Sequence, residues 1–155
     1  MGKEIEHKYT VNIELLPELT EGIKIIQGYL PTDSFTKTRI RVTSYHDDKH
    51  AFLTIKGKNK GATRPEFEYE IPVADGLELI QMCNGHLSKT RHEIEYEGNT
   101  WEVDFFDGDN KGLVVAEIEF EEIGDNYFIP EWAIEEICDN RYYNSNLLEH
   151  PFKNW

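Results

Sequence analysis

The chain has 155 residues, 39% hydrophobic and 30% charged, which suits a single domain (1–155) with enough apolar material for a real core. A formal net charge of −14 argues against nucleic acid or an anionic membrane as partner of the outer surface, although an anion could still bind in a cavity where lysines and arginines gather. Aromatic residues at 12% exclude a disordered chain of this charge, and no apolar run approaches the ~20 residues that span a bilayer.

Taken in order, the elements are mostly strands. Residues 3–14 read as a first strand, ended by Leu16-Pro17, and residues 22–30 as a second. Residues 34–44 follow the turn Pro31-Thr32-Asp33 as a third, 50–58 form a fourth and 62–71 a fifth. Segment 72–83 is predicted as a helix, with Leu77, Ile80 and Gln81 at helical spacing and Asn84-Gly85 as its stop. Residues 86–96 and 99–106 make a hairpin across Glu97-Gly98, and Asp107-Gly108-Asp109-Asn110 is a turn before a strand over 112–121. The tail from Pro130 to Glu149 reads as helical in one or two pieces. About eight strands joined by short turns imply antiparallel neighbours, and eight strands can close into a small barrel. Cys83 and Cys138 lie in no motif and read as free, buried thiols of a reducing compartment. A strand signal beginning at residue 4 leaves no room for a signal peptide, so the expected location is the cytoplasm.

The charges are patterned. In a strand, residues i and i+2 share a face. Glu4, Glu6 and Lys8 do so, and the spacing recurs at Arg39/Arg41, Lys56/Lys58, Glu66/Glu68, Lys89/Arg91 and Glu117/Glu119. One such pair is usually a solvated strand face. Repeated over many strands with both signs, the pattern points to a polar cavity in which charges must pair or bind something. Clustered Lys and Arg suit phosphate oxygens, and Glu-x-Glu pairs suit a hard divalent cation. Together they are the equipment of phosphoryl transfer. The six histidines lack zinc-type spacing, and His7, on the parity opposite Glu6 and Lys8, reads as an outer packing residue. Asp104 shares a parity with Glu102 and reads as a structural ion-pair partner.

The order of these motifs is more specific than their composition. Glu4-Ile5-Glu6-His7-Lys8, Gln27-Gly28-Tyr29-Leu30, Arg39-Ile40-Arg41, Thr54-Ile55-Lys56-Gly57-Lys58, Arg64-Pro65-Glu66-Phe67-Glu68, Lys89-Thr90-Arg91, Val103-Asp104 and Ala116-Glu117-Ile118-Glu119-Phe120 follow one another along nearly the whole chain. This succession resembles the CYTH superfamily, the triphosphate tunnel metalloenzymes, in its short bacterial form. The resemblance implies a mostly-β, α+β fold: an eight-stranded antiparallel closed barrel forming a hydrophilic tunnel, with a few helices outside and a C-terminal helix. It implies metal-dependent hydrolysis of a triphosphate with Mg²⁺ or Mn²⁺, inorganic tripolyphosphate going to pyrophosphate and phosphate. Rival activities are a CYTH-type adenylate cyclase and a nucleoside or thiamine triphosphatase. A non-catalytic polyphosphate-binding module is disfavoured because all four glutamates are present.

By the same resemblance, Glu4, Glu6 and Glu117 are metal ligands and Glu119 is a ligand or the water activator. Lys8, Arg39, Arg41, Lys56, Arg64, Lys89 and Arg91 grip the triphosphate, and Arg141 closes over the tunnel end. Crowded carboxylates are expected to raise one another's pKa, so that metal stabilises the fold. The apolar outer face of such a tunnel needs cover from helices or from a second copy, which leaves a homodimer open.

Overall fold

The computed structural model describes residues 2–33, 35–61, 63–120, 124 and 126–155, with side chains from residue 5 onward. Nine strands are present: β1 (Gly2–Val11), β2 (Ile23–Leu30), β3 (Lys37–Tyr45), β4 (Asp48–Lys56), β5 (Arg64–Ile71), β6 (His86–Tyr96), β7 (Asn99–Phe106), β8 (Val114–Phe120) and β9 (Ala133–Glu136). Two α-helices, α1 (Val73–Met82) and α2 (Asn144–Glu149), and four short 3-10 turns complete the elements of the described residues. Two-residue connections join β3 to β4 and β6 to β7, because Tyr45 pairs with Asp48 and Tyr96 with Asn99. The second is made by Glu97 (φ 49°) and Gly98 (φ 82°), the left-handed pair whose twist matches that of the flanking strands.

All pairings are antiparallel, in the order β5-β4-β3-β2-β6-β7-β8-β1-β9. The expected eight-stranded closed barrel is therefore corrected to a curled sheet of nine strands that is not closed along its length. Its two flanks meet only where Gly2, Lys3 and Glu4 of β1 face Glu66, Pro65 and Arg64 of β5. Beyond that corner, β1 turns its edge to β9, at Tyr9 and Val11. Among the described residues, the same edge from residue 5 to residue 7 is paired by neither β5 nor β9, and the Lys8 carbonyl accepts from the Ile137 N–H just past β9.

β9 itself corrects a second expectation. Ala133–Glu136 lies inside the tail predicted as helical, but hydrogen bonding along the edge of β1 overrides local helix preference there. The first strand also ends earlier than predicted, at Val11. Asn12 accepts from the Glu14 N–H and opens a 3-10 turn, Ile13–Leu15.

The apolar outer face is covered in part by the chain's own segments, while Ile26, Ile55, Phe67 and Tyr69 stay exposed on it. Tyr9, Trp101, Val103, Ala116 and Ile118 of β1, β7 and β8 pack with Trp132 and Ala133. On the other side, Ile80 of α1 joins Ile40, Val42 and Ala51. Gly76 permits this approach, since a Cβ there would lie 2.6 Å from that of Ala51. A third cluster is internal: inward-facing Leu87, Phe106 and Val115 pack with Leu147 of α2, so the C-terminal helix fills the apolar end of the bore. Both cysteines are free, Cys83 half-buried, but Cys138 is exposed rather than buried as expected. No helix of the described residues is long and apolar enough to cross a membrane.

Candidate active site

Strand register alone gathers the charged residues on one face. Across the β1–β8 ladder Glu6 lies opposite Glu119 and Lys8 opposite Glu117. Glu117 lies opposite Glu102 on β7, and Asp104 opposite Arg91 on β6. Continuing round, Gln27 and Tyr29 of β2 face Arg41 and Arg39 of β3, Arg39 faces Thr54 of β4, and Lys56 faces Glu66 of β5. The sheet curls this face inward around a cavity of about 1160 Å³. Of the predicted residues, Glu6, Lys8, Arg39, Arg41, Lys56, Arg64, Arg91, Glu117 and Glu119 line it.

The other three stand apart. Lys89 lies beneath the lining: its side chain is 0% exposed, with Nζ 2.8 Å from Asp104 Oδ2 and 5.4 Å from the centre of the Phe106 ring. Arg141 is exposed and is not among the residues that line the cavity, with Nη2 2.7 Å from Asp139 Oδ2 and the guanidinium 4.5 Å from the Trp155 ring centre. The Glu4 backbone pairs with Arg64, and its side chain lies outside the described structure.

The wall has three electrostatically distinct parts. On the acidic part, Lys8 Nζ sits 3.5 Å from Glu6 Oε1 and 3.3 Å from Glu117 Oε2. Burial disfavours the charge on Lys8, but Glu117 and Glu6 outweigh it and raise its pKa. Glu117 shows the converse: burial pushes its pKa up, while Lys8, a hydrogen bond with Glu6, Arg91 and Lys89 bring it well below the ordinary carboxylate value. The expected mutual elevation of crowded carboxylates does not appear at Glu117, which Lys8 and a hydrogen bond shared with the neighbouring Glu6 hold low. It holds at Glu102, where burial and the nearby Glu117 and Asp104 raise the pKa against Arg91.

The second part is an anchor. Buried Asp104 accepts from Arg91 Nε at 2.8 Å and Nη2 at 2.9 Å and also pairs with Lys89, while Arg91 Nη1 donates to Glu102 at 3.1 Å. Burial raises the Asp104 pKa, but Lys89 and Arg91 together lower it well below the ordinary value. Lys89 is pushed down to about 7, by burial first and then by Arg91 and Arg41, against the pull of Asp104.

The sign of the consequence follows. Unfolded, Lys89 holds its proton up to its ordinary value of 10.5; folded, it releases it near 7. The folded state binds fewer protons between those values, so the Lys89 contribution favours folding increasingly as pH rises from about 7. Thermal melts without phosphate at about pH 6.5 and about pH 8.5 should differ in that direction, and Lys89→Met should flatten the difference. An unchanged slope in the variant would remove Lys89 as its source.

The third part is cationic. Arg39, 7% exposed, donates from Nη2 to Thr54 Oγ1 at 3.2 Å and lies 3.5 Å from Glu68 Oε1, but its buried Nε has no partner among the described residues. Arg41 donates from Nε to Gln27 Oε1 at 3.0 Å. Burial, then Arg39 and Arg91, push the Arg41 guanidinium down to about 9. Because a guanidinium keeps its proton, this uncompensated positive charge calls for an anion.

Sequence reasoning passed over Gln27, Tyr29, Thr54 and Glu102 as site residues. Only Thr54 shared its strand with a predicted site residue, Lys56 two positions on, whereas β2 and β7 carried none to signal Gln27, Tyr29 or Glu102. Their role depends on cross-strand register, which a single strand does not reveal.

An inward-facing bore with an acidic wall opposite buried arginines defines a class of anhydride-handling β proteins, and the comparisons place this chain among them. The CYTH domain profile matches residues 2–146, and the chain belongs to that family. It is 42% identical over 158 residues to an inorganic triphosphatase of Acetivibrio thermocellus, covering 100% of this chain and 99% of the relative. It is 32% identical over 152 residues to an inorganic triphosphatase of Nitrosomonas europaea, covering 94% and 95%. A crystal structure of an inorganic triphosphatase superposes with a TM-score of 0.65 at 30% identity, covering 96% of this chain and 95% of the other.

Proposed function

We propose that this chain hydrolyses a triphosphate, with inorganic tripolyphosphate as substrate and pyrophosphate and phosphate as products, using Mg²⁺ or Mn²⁺. The observation that carries this reading is the pair of buried Arg39 and half-buried Arg41, under-compensated and lining one cavity with the carboxylate wall. The names of the full-length relatives agree with it.

The donor set suits a hard cation. Glu6, Glu117 and Glu119 offer only oxygen, and the described residues hold no group of three or more acidic, His or Cys ligands that could form a complete cage. Mg²⁺ takes one or two carboxylates and leaves its other positions to phosphate oxygens and water. A bound cation would supply charge neutralisation of the phosphate chain.

The protein's own part is as follows. Arg39, Arg41, Lys56 and Arg64 hold the phosphate oxygens, and Lys8 bridges the anion to the acidic wall. Water attacks the terminal phosphorus in line with the leaving oxygen, a new P–O bond forms, and the bridging P–O bond breaks with its electron pair leaving on pyrophosphate. Glu119 takes the water proton. Lys89 acts from below, through Asp104, and Arg91 from the lining itself, its fork held by Asp104 and Glu102.

Incubation with tripolyphosphate, ATP and thiamine triphosphate in Mg²⁺ or Mn²⁺, assayed for phosphate and cyclic AMP, tests this. Phosphate release should be fastest from tripolyphosphate, and Glu119→Gln should lower turnover by about 10²-fold at unchanged melting temperature. Cyclic AMP as the main product from ATP would replace the reading with a cyclase, and unchanged turnover in Glu119→Gln would strike that residue from the mechanism.

A further inference from the structure

The arginines of the cavity are held in two different ways. Arg91 spends Nε, Nη1 and Nη2 on Asp104 and Glu102, so its whole fork is bound to carboxylates. Arg41 has one hydrogen-bond partner among the described residues, Gln27, which takes only Nε. The terminal nitrogens of Arg41 therefore remain for the cavity that the residue lines.

Gln27 is 0% exposed and lies directly opposite Arg41 in the β2–β3 ladder. A guanidinium only donates, so the amide must present its oxygen to Arg41. That fixes the other end of the amide: Nε2 donates to the Tyr29 hydroxyl at 3.3 Å. The Tyr29 oxygen is thereby an acceptor, and its own hydrogen is left for another partner. Tyr29 lines the same cavity, on the same strand face two residues on.

We infer that Gln27 is a positioning residue that sets which atoms of Arg41 and Tyr29 confront the bound anion. It contacts no substrate. It holds the Arg41 fork end-on to the cavity by its Nε, and through its forced amide orientation it leaves the Tyr29 hydroxyl free to donate. This inference rests on the triphosphate reading above.

The test is a binding cycle. Binding of tripolyphosphate is measured by titration calorimetry with metal chelated, for the full chain and for Gln27→Met, Arg41→Met and the double variant, below the melting temperature of each. Gln27→Met should weaken binding about tenfold, the scale of a lost charge-assisted hydrogen bond. In the Arg41→Met background the same change should alter binding less than about twofold, because Gln27 acts through a group no longer present. A general packing role would leave the two losses multiplying.

Should Gln27→Met fail to fold, Gln27→Glu keeps the acceptor for Arg41 and tests the same coupling. Its carboxylate neutralises Arg41 and should weaken binding about tenfold, again only while Arg41 is present. Unchanged binding in both Gln27 variants, or losses that multiply with Arg41→Met, overturns the inference. Failure of the parent chain to bind tripolyphosphate either with metal chelated or with Mg²⁺ present would instead overturn the functional reading.

Discussion

Replacing Asp104 by Asn should lower the melting temperature by about 10 °C, the largest stability loss expected from any single change in the cavity. Asp104 is 3% exposed and is the shared counter-ion of Lys89 at 2.8 Å and of Arg91 at 2.8 and 2.9 Å. Removing one partner of a buried ionic cluster strands the others, at a cost of roughly 3–5 kcal/mol, whereas replacing the whole cluster is far milder. A chain of this size loses about 2–4 °C per kcal/mol.

The sign with pH is fixed as well. The folded carboxyl titrates well below its ordinary value, so its contribution is complete above that ordinary value and is lost only as pH falls towards the folded one. The deficit of Asp104→Asn should thus persist throughout the neutral range. Adding Lys89→Met removes a stranded cation and should recover part of the loss. A melt within about 2 °C of the parent would show that Asp104 is not the anchor of this wall.

That anchor marks the limit of what the sequence discloses. Parity places Lys89 and Arg91 on the inner face, and the structure agrees, but parity does not say which cation meets substrate and which meets a carboxylate. The distinction arises because Asp104 is opposite Arg91 in the ladder, and cross-strand register is set by the curl of the whole sheet. The single helix predicted before the tail, 72–83, is found at Val73–Met82 because its apolar spacing and its Pro and Gly boundaries are local signals. β9 was not legible, since Ala133–Glu136 has little strand character of its own and takes its form from the edge of β1. Arg141 illustrates the same dependence. Its neighbour Asp139 both caps the turn, accepting from the Arg141 N–H at 2.9 Å, and holds the guanidinium, so local chemistry decides where it points.

The acidic wall carries the largest effect expected on function. Glu117→Gln should reduce turnover of tripolyphosphate by about 10²–10³-fold, the scale seen when one element of preorganised charge is removed from a reacting centre. The geometry gives two reasons. Glu117 is held ionised by Lys8, by its hydrogen bond with Glu6 and by Arg91 and Lys89 despite its burial, so it offers a negative charge to the cation of the proposed reaction. It also lies between Lys8 at 3.3 Å and Glu102 across the ladder, and so couples the acidic wall to the anchor.

The same substitution separates a metal role from a packing role. If Glu117 holds the cation, Mg²⁺ or Mn²⁺ raises the melting temperature of the parent chain in proportion to the logarithm of its concentration beyond Kd, and Glu117→Gln loses that rise. A neutral amide of the same shape preserves packing, so a metal-free melt close to the parent, joined to loss of the metal-induced shift, assigns the effect to charge. Turnover and metal response both unchanged in Glu117→Gln would mean that the cation, if one acts here, is held elsewhere on the wall.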